Sequence, residues 1–153
     1  ALKFILENPG MLECIPKPSI STPPPKEFER LFWKTADEFE RISLAVKKSF
    51  ELTLTIVLKG HHTQVSLPDG RAFFNNTGNS GMAKGGSGDA LTGIITSLVA
   101  QGYDPEDAAI FGVYLHGLAG DLSAEELSKE SMLPSDLISH LGAAFTEIKK
   151  GTG

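Results

Sequence analysis

Residues 79–103, NSGMAKGGSGDALTGIITSLVAQGY, change character abruptly at Asp89. Five glycines fall between positions 81 and 93, and Leu91, Ile94, Ile95 and Leu98 then recur at the spacing of one helix face. Gly102 supplies a C-terminal stop for that helix. A glycine-rich loop that feeds a helix N-terminus has a specific physical use. Residues without a Cβ let a ligand approach the backbone, and successive N–H groups can converge on one anion. The first turn of a helix starting near Gly88 adds orphan donors and a partial positive charge. Gly85, Gly86, Ser87 and Gly88 therefore read as a cradle for a phosphate group. Asp89 is out of place beside a bound phosphate unless it takes the proton of a substrate hydroxyl that attacks phosphorus. A plain alternative stays open. An acidic residue in a first helical turn stabilises the helix by about 0.3–1 kcal/mol, and glycine loops also serve as connectors.

Two common phosphate motifs do not fit. A P-loop needs lysine directly after its last glycine, but Ser87 follows Gly86. The dinucleotide fingerprint G-x-G-x-x-G fails because Gly86-Ser87-Gly88-Asp89-Ala90-Leu91 ends in leucine. The bulk numbers narrow the class further. A net charge of −5 disfavours nucleic acid and anionic membrane as partners. One cysteine, Cys14, leaves no disulfide framework and no thiol pair for zinc, which fits a reducing cytoplasm. No apolar run approaches the roughly 20 residues that span a bilayer.

Along the chain, residues 1–14 read as a short helix or turn broken at Asn8-Pro9-Gly10. Ser19 to Thr22 is a brief strand that Pro23-Pro24-Pro25 must end. Glu27 to Phe32 reads as a short helix. A longer one follows, capped by Asp37, with Phe39, Ile42, Val46 and Phe50 at helical spacing. Leu54 to Leu58 is a buried-type strand. Thr63 to Leu67 and Arg71 to Asn75 form a hairpin around Pro68-Asp69-Gly70. Asp104 and Pro105 open a long helix, and Ser135 caps the last one. Strand, helix, strand, hairpin and helices make the class α/β. His116 reads as a packed structural histidine, Asp121 stays unassigned, and Tyr103, Trp33 and the phenylalanines read as core or partly buried.

The segment GMAKGGSGDALTGIITSLVAQGYDPEDAAIFGVYLHGLAGD, with TIVLKGHHT, DGRAFFNNTGN and KPSISTPPPKEFERL before it in the same order, resembles the ADP/ATP-dependent NAD(P)H-hydrate dehydratases of the ribokinase-like superfamily. The likeness runs from Ala1 to about Leu141; the bare G-x-G-D of Gly86 to Asp89 is common to ribokinase-like kinases generally. It implies the C-terminal portion of a ribokinase-like fold, a mostly parallel sheet flanked by helices with a β-hairpin. Residues 1–150 would be a single partial domain, with its N-terminal half absent, and 151–153 a tail. It implies nucleotide-dependent repair of NADH or NADPH hydrated at C6: the ring hydroxyl is phosphorylated, phosphate leaves and the double bond returns. It places Gly85, Gly86, Ser87 and Gly88 at the nucleotide, together with Lys59, Gly60, His61, His62 and Thr63. It places Asp89 at the hydrated dinucleotide as the general base. The cofactor would be ADP or ATP with Mg²⁺, and the protein holds no metal site of its own.

Two positions depart from the family pattern. Thr22-Pro23-Pro24-Pro25-Lys26-Glu27 stands where T-P-H-P-G-E is usual, so Pro24 replaces the histidine associated with the hydrated dinucleotide. Ser80 stands where proline is common. A ribokinase-like sugar or vitamin kinase and an inactive nucleotide-binding fragment are the alternatives. An uncovered sheet edge predicts self-association into a homo-oligomer.

Overall fold

The computed structural model describes residues 7–151. The expected helix or turn over residues 1–14 lies partly outside them; from Pro9 to Cys14 the chain makes a short 3₁₀ turn. The chain divides into two compact units between Phe74 and Asn75.

The first unit is a four-stranded sheet with helices. Its elements are β1 (Ile20–Ser21), α1 (Pro25–Leu31), α2 (Glu38–Leu52), β2 (Thr55–Leu58), β3 (Gln64–Ser66) and β4 (Ala72–Phe74). The strands lie in chain order, with β1 at one edge. β1 pairs parallel with β2, because two helices carry the chain back between them. β2, β3 and β4 pair antiparallel, because only short loops join them. The expected hairpin pairs Val65 with Phe73 around the Pro68-Asp69-Gly70 turn. All four residues of β2 are buried, as its apolar run requires.

α2 begins as expected: Asp37 Oδ1 accepts the Glu40 N–H at 2.8 Å. Its buried face differs from the aromatic spacing. Leu44, Ala45 and Ser49 face the core, whereas Phe39 and Phe50 are 78% and 65% exposed. Both sets repeat helically, and the core of Phe28, Leu54, Ile56 and Leu58 receives the smaller residues. Trp33 and Tyr103, each 45% exposed, also lie outside the core, while Phe28 is fully buried. Ser49 fits this core because its hydroxyl lies against the carbonyls of Leu54 and Ser66, at 2.7 and 2.9 Å.

The second unit is helical: α3 (Ser87–Ala100), α4 (Pro105–Leu127), α5 (Pro134–Ser139) and α6 (Leu141–Gly151). Leu91, Ile94, Ile95 and Leu98 are all buried, as their spacing implies. They meet α4, whose buried residues are mostly alanine and glycine, so helix and loop backbones approach it closely. Asp104 sits at the N-cap of α4 with Pro105 at the first position, but its side chain makes no capping bond.

The expected last helix is two helices. Ser135 is the second residue of α5, not a cap, and Leu133 holds the N-cap position. There the Asp136 carboxylate accepts the Leu133 N–H at 2.7 Å. α5 ends at His140, whose Nδ1 is 2.7 Å from the Asp136 carbonyl.

Candidate functional site

Lys84 to Ser87 form a tight turn closed by Ser87 N–H donating to the Lys84 carbonyl at 3.3 Å. Gly86 takes the third position with φ +99 and ψ −23, the geometry of a type II turn that an L side chain rarely adopts. Ser87 then starts α3, one residue before the predicted start. The turn thus delivers Gly85, Gly86, Ser87 and Gly88 to the mouth of a fourteen-residue helix. Among the described residues, no protein acceptor meets the N–H groups of Gly85, Gly86, Gly88 or Asp89. A Cβ on Gly85 would have nothing within 4 Å, so this side of the loop is open. Unmet donors at a helix N-terminus bind anions.

Asp89 is the third residue of α3 and is exposed. No hydrogen bond or ion pair engages its carboxylate among the described residues. A purely structural acidic residue at this position commonly caps the first turn, and this one makes no such bond among the described residues.

The loop is held from behind by α4 and the segment after it. His116 Nε2 lies 2.9 Å from the Ser87 carbonyl, and since a carbonyl only accepts, Nε2 carries the hydrogen. The structural reading of His116 is therefore borne out, with a definite partner. Asp121 gains a role that spacing alone did not assign. Its two oxygens accept the Gly78 N–H at 2.8 Å and the Asn79 side-chain amide at 2.9 Å. Asn79 in turn donates to the Gly120 carbonyl and accepts from Gly81 N–H. These bonds fasten residues 78–81 to α4, and no local signal could have found them because the partners are some forty residues apart.

Lys84, directly before Gly85, is engaged by the segment that follows α4. Its ammonium donates to the carbonyls of Lys129, Glu130 and Met132. The Glu130 carboxyl beside it is held below its ordinary value by its own backbone N–H and the Ser128 hydroxyl, then by the Lys129 and Lys84 charges.

The remaining candidates lie in the first unit. Lys59, Gly60, His61, His62 and Thr63 form the loop between β2 and β3. Lys59 N–H donates to the Pro23 carbonyl at 3.2 Å, and the Thr63 hydroxyl reaches back to the Gly60 carbonyl at 3.4 Å. His61 and His62 are exposed and meet edge to face with centroids 4.3 Å apart. Pro24 occupies the N-cap of α1, and its carbonyl accepts from Glu27 and Phe28. Its ring offers nothing for a substrate to bond. Among the described residues, no group of three His, Cys, Asp or Glu side chains is placed to hold a metal ion. No described helix is long and apolar enough to cross a membrane.

Comparison with known proteins gives these features a context. A family model described as NAD(P)H-hydrate dehydratase matches residues 1–142. The bifunctional NAD(P)H-hydrate repair enzyme Nnr of Moorella thermoacetica is 44% identical over 126 residues, covering 81% of this chain and 24% of that protein. The ADP-dependent (S)-NAD(P)H-hydrate dehydratase of Bacillus subtilis is 39% identical over 122 residues, covering 78% of this chain and 44% of that one. The crystal structure of the ADP/ATP-dependent NAD(P)H-hydrate dehydratase from Bacillus subtilis, co-crystallised with ATP/Mg²⁺, aligns with a TM-score of 0.80 at 36% identity. That alignment covers 87% of this chain and 50% of the other. Arabidopsis thaliana ribokinase, at 20% identity and TM-score 0.53, shares the fold alone. The chain thus spans between a quarter and a half of the length of these dehydratase relatives.

Proposed function

This chain belongs to the NAD(P)H-hydrate dehydratase family, and from that premise we propose that its protein returns hydrated NADH and NADPH to NAD(P)H at the expense of ADP or ATP. The observation that carries the proposal is the pairing of unmet backbone donors at Gly85, Gly86 and Gly88 with an unengaged carboxylate at Asp89. The donors suit the transferring phosphoryl group, where charge accumulates. Asp89 suits the ring hydroxyl: it takes the hydroxyl proton as that oxygen bonds to phosphorus and the nucleotide leaves. The C6–O bond then breaks as phosphate departs with the bonding pair, the adjacent ring carbon gives up a proton to water, and the electrons of that C–H bond restore the ring double bond. Ser87 supplies the helix start that aims the cradle, while Lys59, Gly60, His61, His62 and Thr63 contribute a second nucleotide-binding segment. Mg²⁺ binds chiefly through nucleotide phosphates and water, which suits a chain with no metal cluster among its described residues, and none of these steps is routed through it.

Residues 1–150 belong, on this reading, to one partial ribokinase-like domain of a cytoplasmic protein. Self-association fits the edge position of β1, which pairs with no strand on its outer side among the described residues and beside which a hollow of about 660 Å³ opens between β1, α1 and β2. Sedimentation as a monomer at high concentration counts against that last point.

The test is turnover of hydrated NADH by the intact protein with ADP or ATP, followed as the return of NADH absorbance. Asp89→Asn lowers turnover by about 100-fold or more while ADP still binds. Unchanged turnover in Asp89→Asn refutes the base assignment. Phosphoryl transfer to a stable alcohol instead identifies a kinase, and ADP binding without turnover identifies an inactive relative.

A further inference from the structure

The segment from Gly81 to Gly86 leans on a wall formed by residues 129–134. A Cβ on Gly81 would come within 2.6 Å of the Lys129 carbonyl, and one on Gly86 would lie 3.3 Å from the Pro134 ring. Between these two contacts sits Lys84. Its Nζ lies 2.8 Å from the Glu130 carbonyl, 2.5 Å from that of Met132 and 3.4 Å from that of Lys129. An ammonium has three donors, and here three carbonyl oxygens receive them. Three carbonyl dipoles aimed at one point repel one another unless a cation stands there. Their residues follow the C-terminus of α4, where the helix adds further negative potential.

We propose that Lys84 is a positioning residue whose ammonium is a tethered internal cation, caged by the carbonyls of Lys129, Glu130 and Met132 and fixing the back of the phosphate loop. The proposal rests on the reading of Gly85 to Gly88 as a phosphate cradle. Two consequences follow from the geometry. With its donors occupied, Lys84 does not ligate phosphate directly, although it stands next to the first cradle residue. Its hydrogen-bond acceptors are neutral carbonyls and no ion pair among the described residues holds it at contact distance, so although the Glu130 carboxylate lies near enough to feel its charge, that charge still adds to the pull of the helix N-terminus on an anion.

The experiment compares the intact wild-type protein with Lys84→Ala and Lys84→Gln. Nucleotide affinity is read by titration with ADP, and stability by thermal unfolding, in ammonium, methylammonium or tetramethylammonium chloride at equal ionic strength. Lys84→Ala weakens ADP binding about tenfold or more. Ammonium and methylammonium restore it saturably by entering the vacated cage, whereas tetramethylammonium, which has no N–H, does not. Wild type responds to none of them. Lys84→Gln keeps amide donors for the carbonyls but removes the charge, so it stays folded and still binds ADP more weakly than wild type. Wild-type affinity in both variants overturns the proposal, as does equal rescue by all three cations. If wild type itself fails to bind ADP, the cradle reading fails. The cage is then judged by unfolding alone: ammonium must raise the melting temperature of Lys84→Ala and not that of wild type, and a flat response refutes it.

Discussion

Gly117→Ala tests how the segment before the glycine-rich loop is seated on α4. A Cβ at this position would overlap the Thr77 hydroxyl and stand 2.7 and 2.8 Å from the Thr77 carbonyl carbon and oxygen. Thr77 can rotate its side chain away, but its backbone must move for the methyl to fit. Overpacking of this kind costs about 1–3 kcal/mol. Displacing Thr77 also strains its hydroxyl bond to the Tyr114 carbonyl, 3.0 Å long, which is worth about 1 kcal/mol. Alanine's better helix propensity returns about 1 kcal/mol. The net loss is about 2 kcal/mol, or a melting temperature lower by about 4–8 °C for a chain of this size. Gly93→Ala is the matched control. It too lies inside a helix, but a Cβ there meets nothing within 4 Å, so only the propensity gain of about 1 kcal/mol remains. Urea unfolding followed by circular dichroism reads both variants as shifts in midpoint at constant slope. If Gly117→Ala unfolds within a few tenths of a kcal/mol of Gly93→Ala, the close seating of Thr77 on α4 is wrong.

Two further outcomes follow from other contacts. Asp37→Ala removes the 2.8 Å cap on Glu40 N–H and lowers stability by about 1 kcal/mol in the same unfolding assay, while Asp37→Asn retains most of it. His140 places one ring nitrogen 2.7 Å from the Asp136 carbonyl and the other 3.0 Å from the Glu126 carboxylate, so both nitrogens must donate and the charged ring is favoured. Its pKa lies above 6.5, chiefly through the Asp136 carbonyl and then Glu126. A raised folded-state pKa means that its stabilisation is complete below the unfolded value near 6.5 and fades as pH rises through the folded value. An NMR titration of the ring should show this, with Glu126→Gln moving the midpoint down but not removing the shift.

Much of this molecule is legible where the signal is local. The run Leu91, Ile94, Ile95, Leu98 marks a face that any core would take, and Pro68-Asp69-Gly70 between two β-forming runs fixes a hairpin register. The glycine cluster ahead of Asp89 marks a tight turn into a helix N-terminus because its pattern lies in consecutive residues. Choices made by distant partners are not legible in the same way. α2 offers two helical faces, and only the packing of the sheet selects Leu44, Ala45 and Ser49 over Phe39 and Phe50. The division of the last helix depends on Asp136 and His140 folding back on their own turn, where Ser135 had the composition of a cap but not the place. Lys84 and Asp121 look like ordinary charged residues until carbonyls and amides some forty positions away are brought to them.

The central claim is that the turn from Gly85 to Gly88 receives nucleotide phosphate beside Asp89. The most direct measurement is the amide spectrum of the isotope-labelled intact protein during titration with ADP. The account predicts that the amides of Gly85, Gly86, Gly88 and Asp89 shift most, saturably, and that inorganic pyrophosphate moves the same set. Binding of ADP that leaves those four amides unmoved would contradict it.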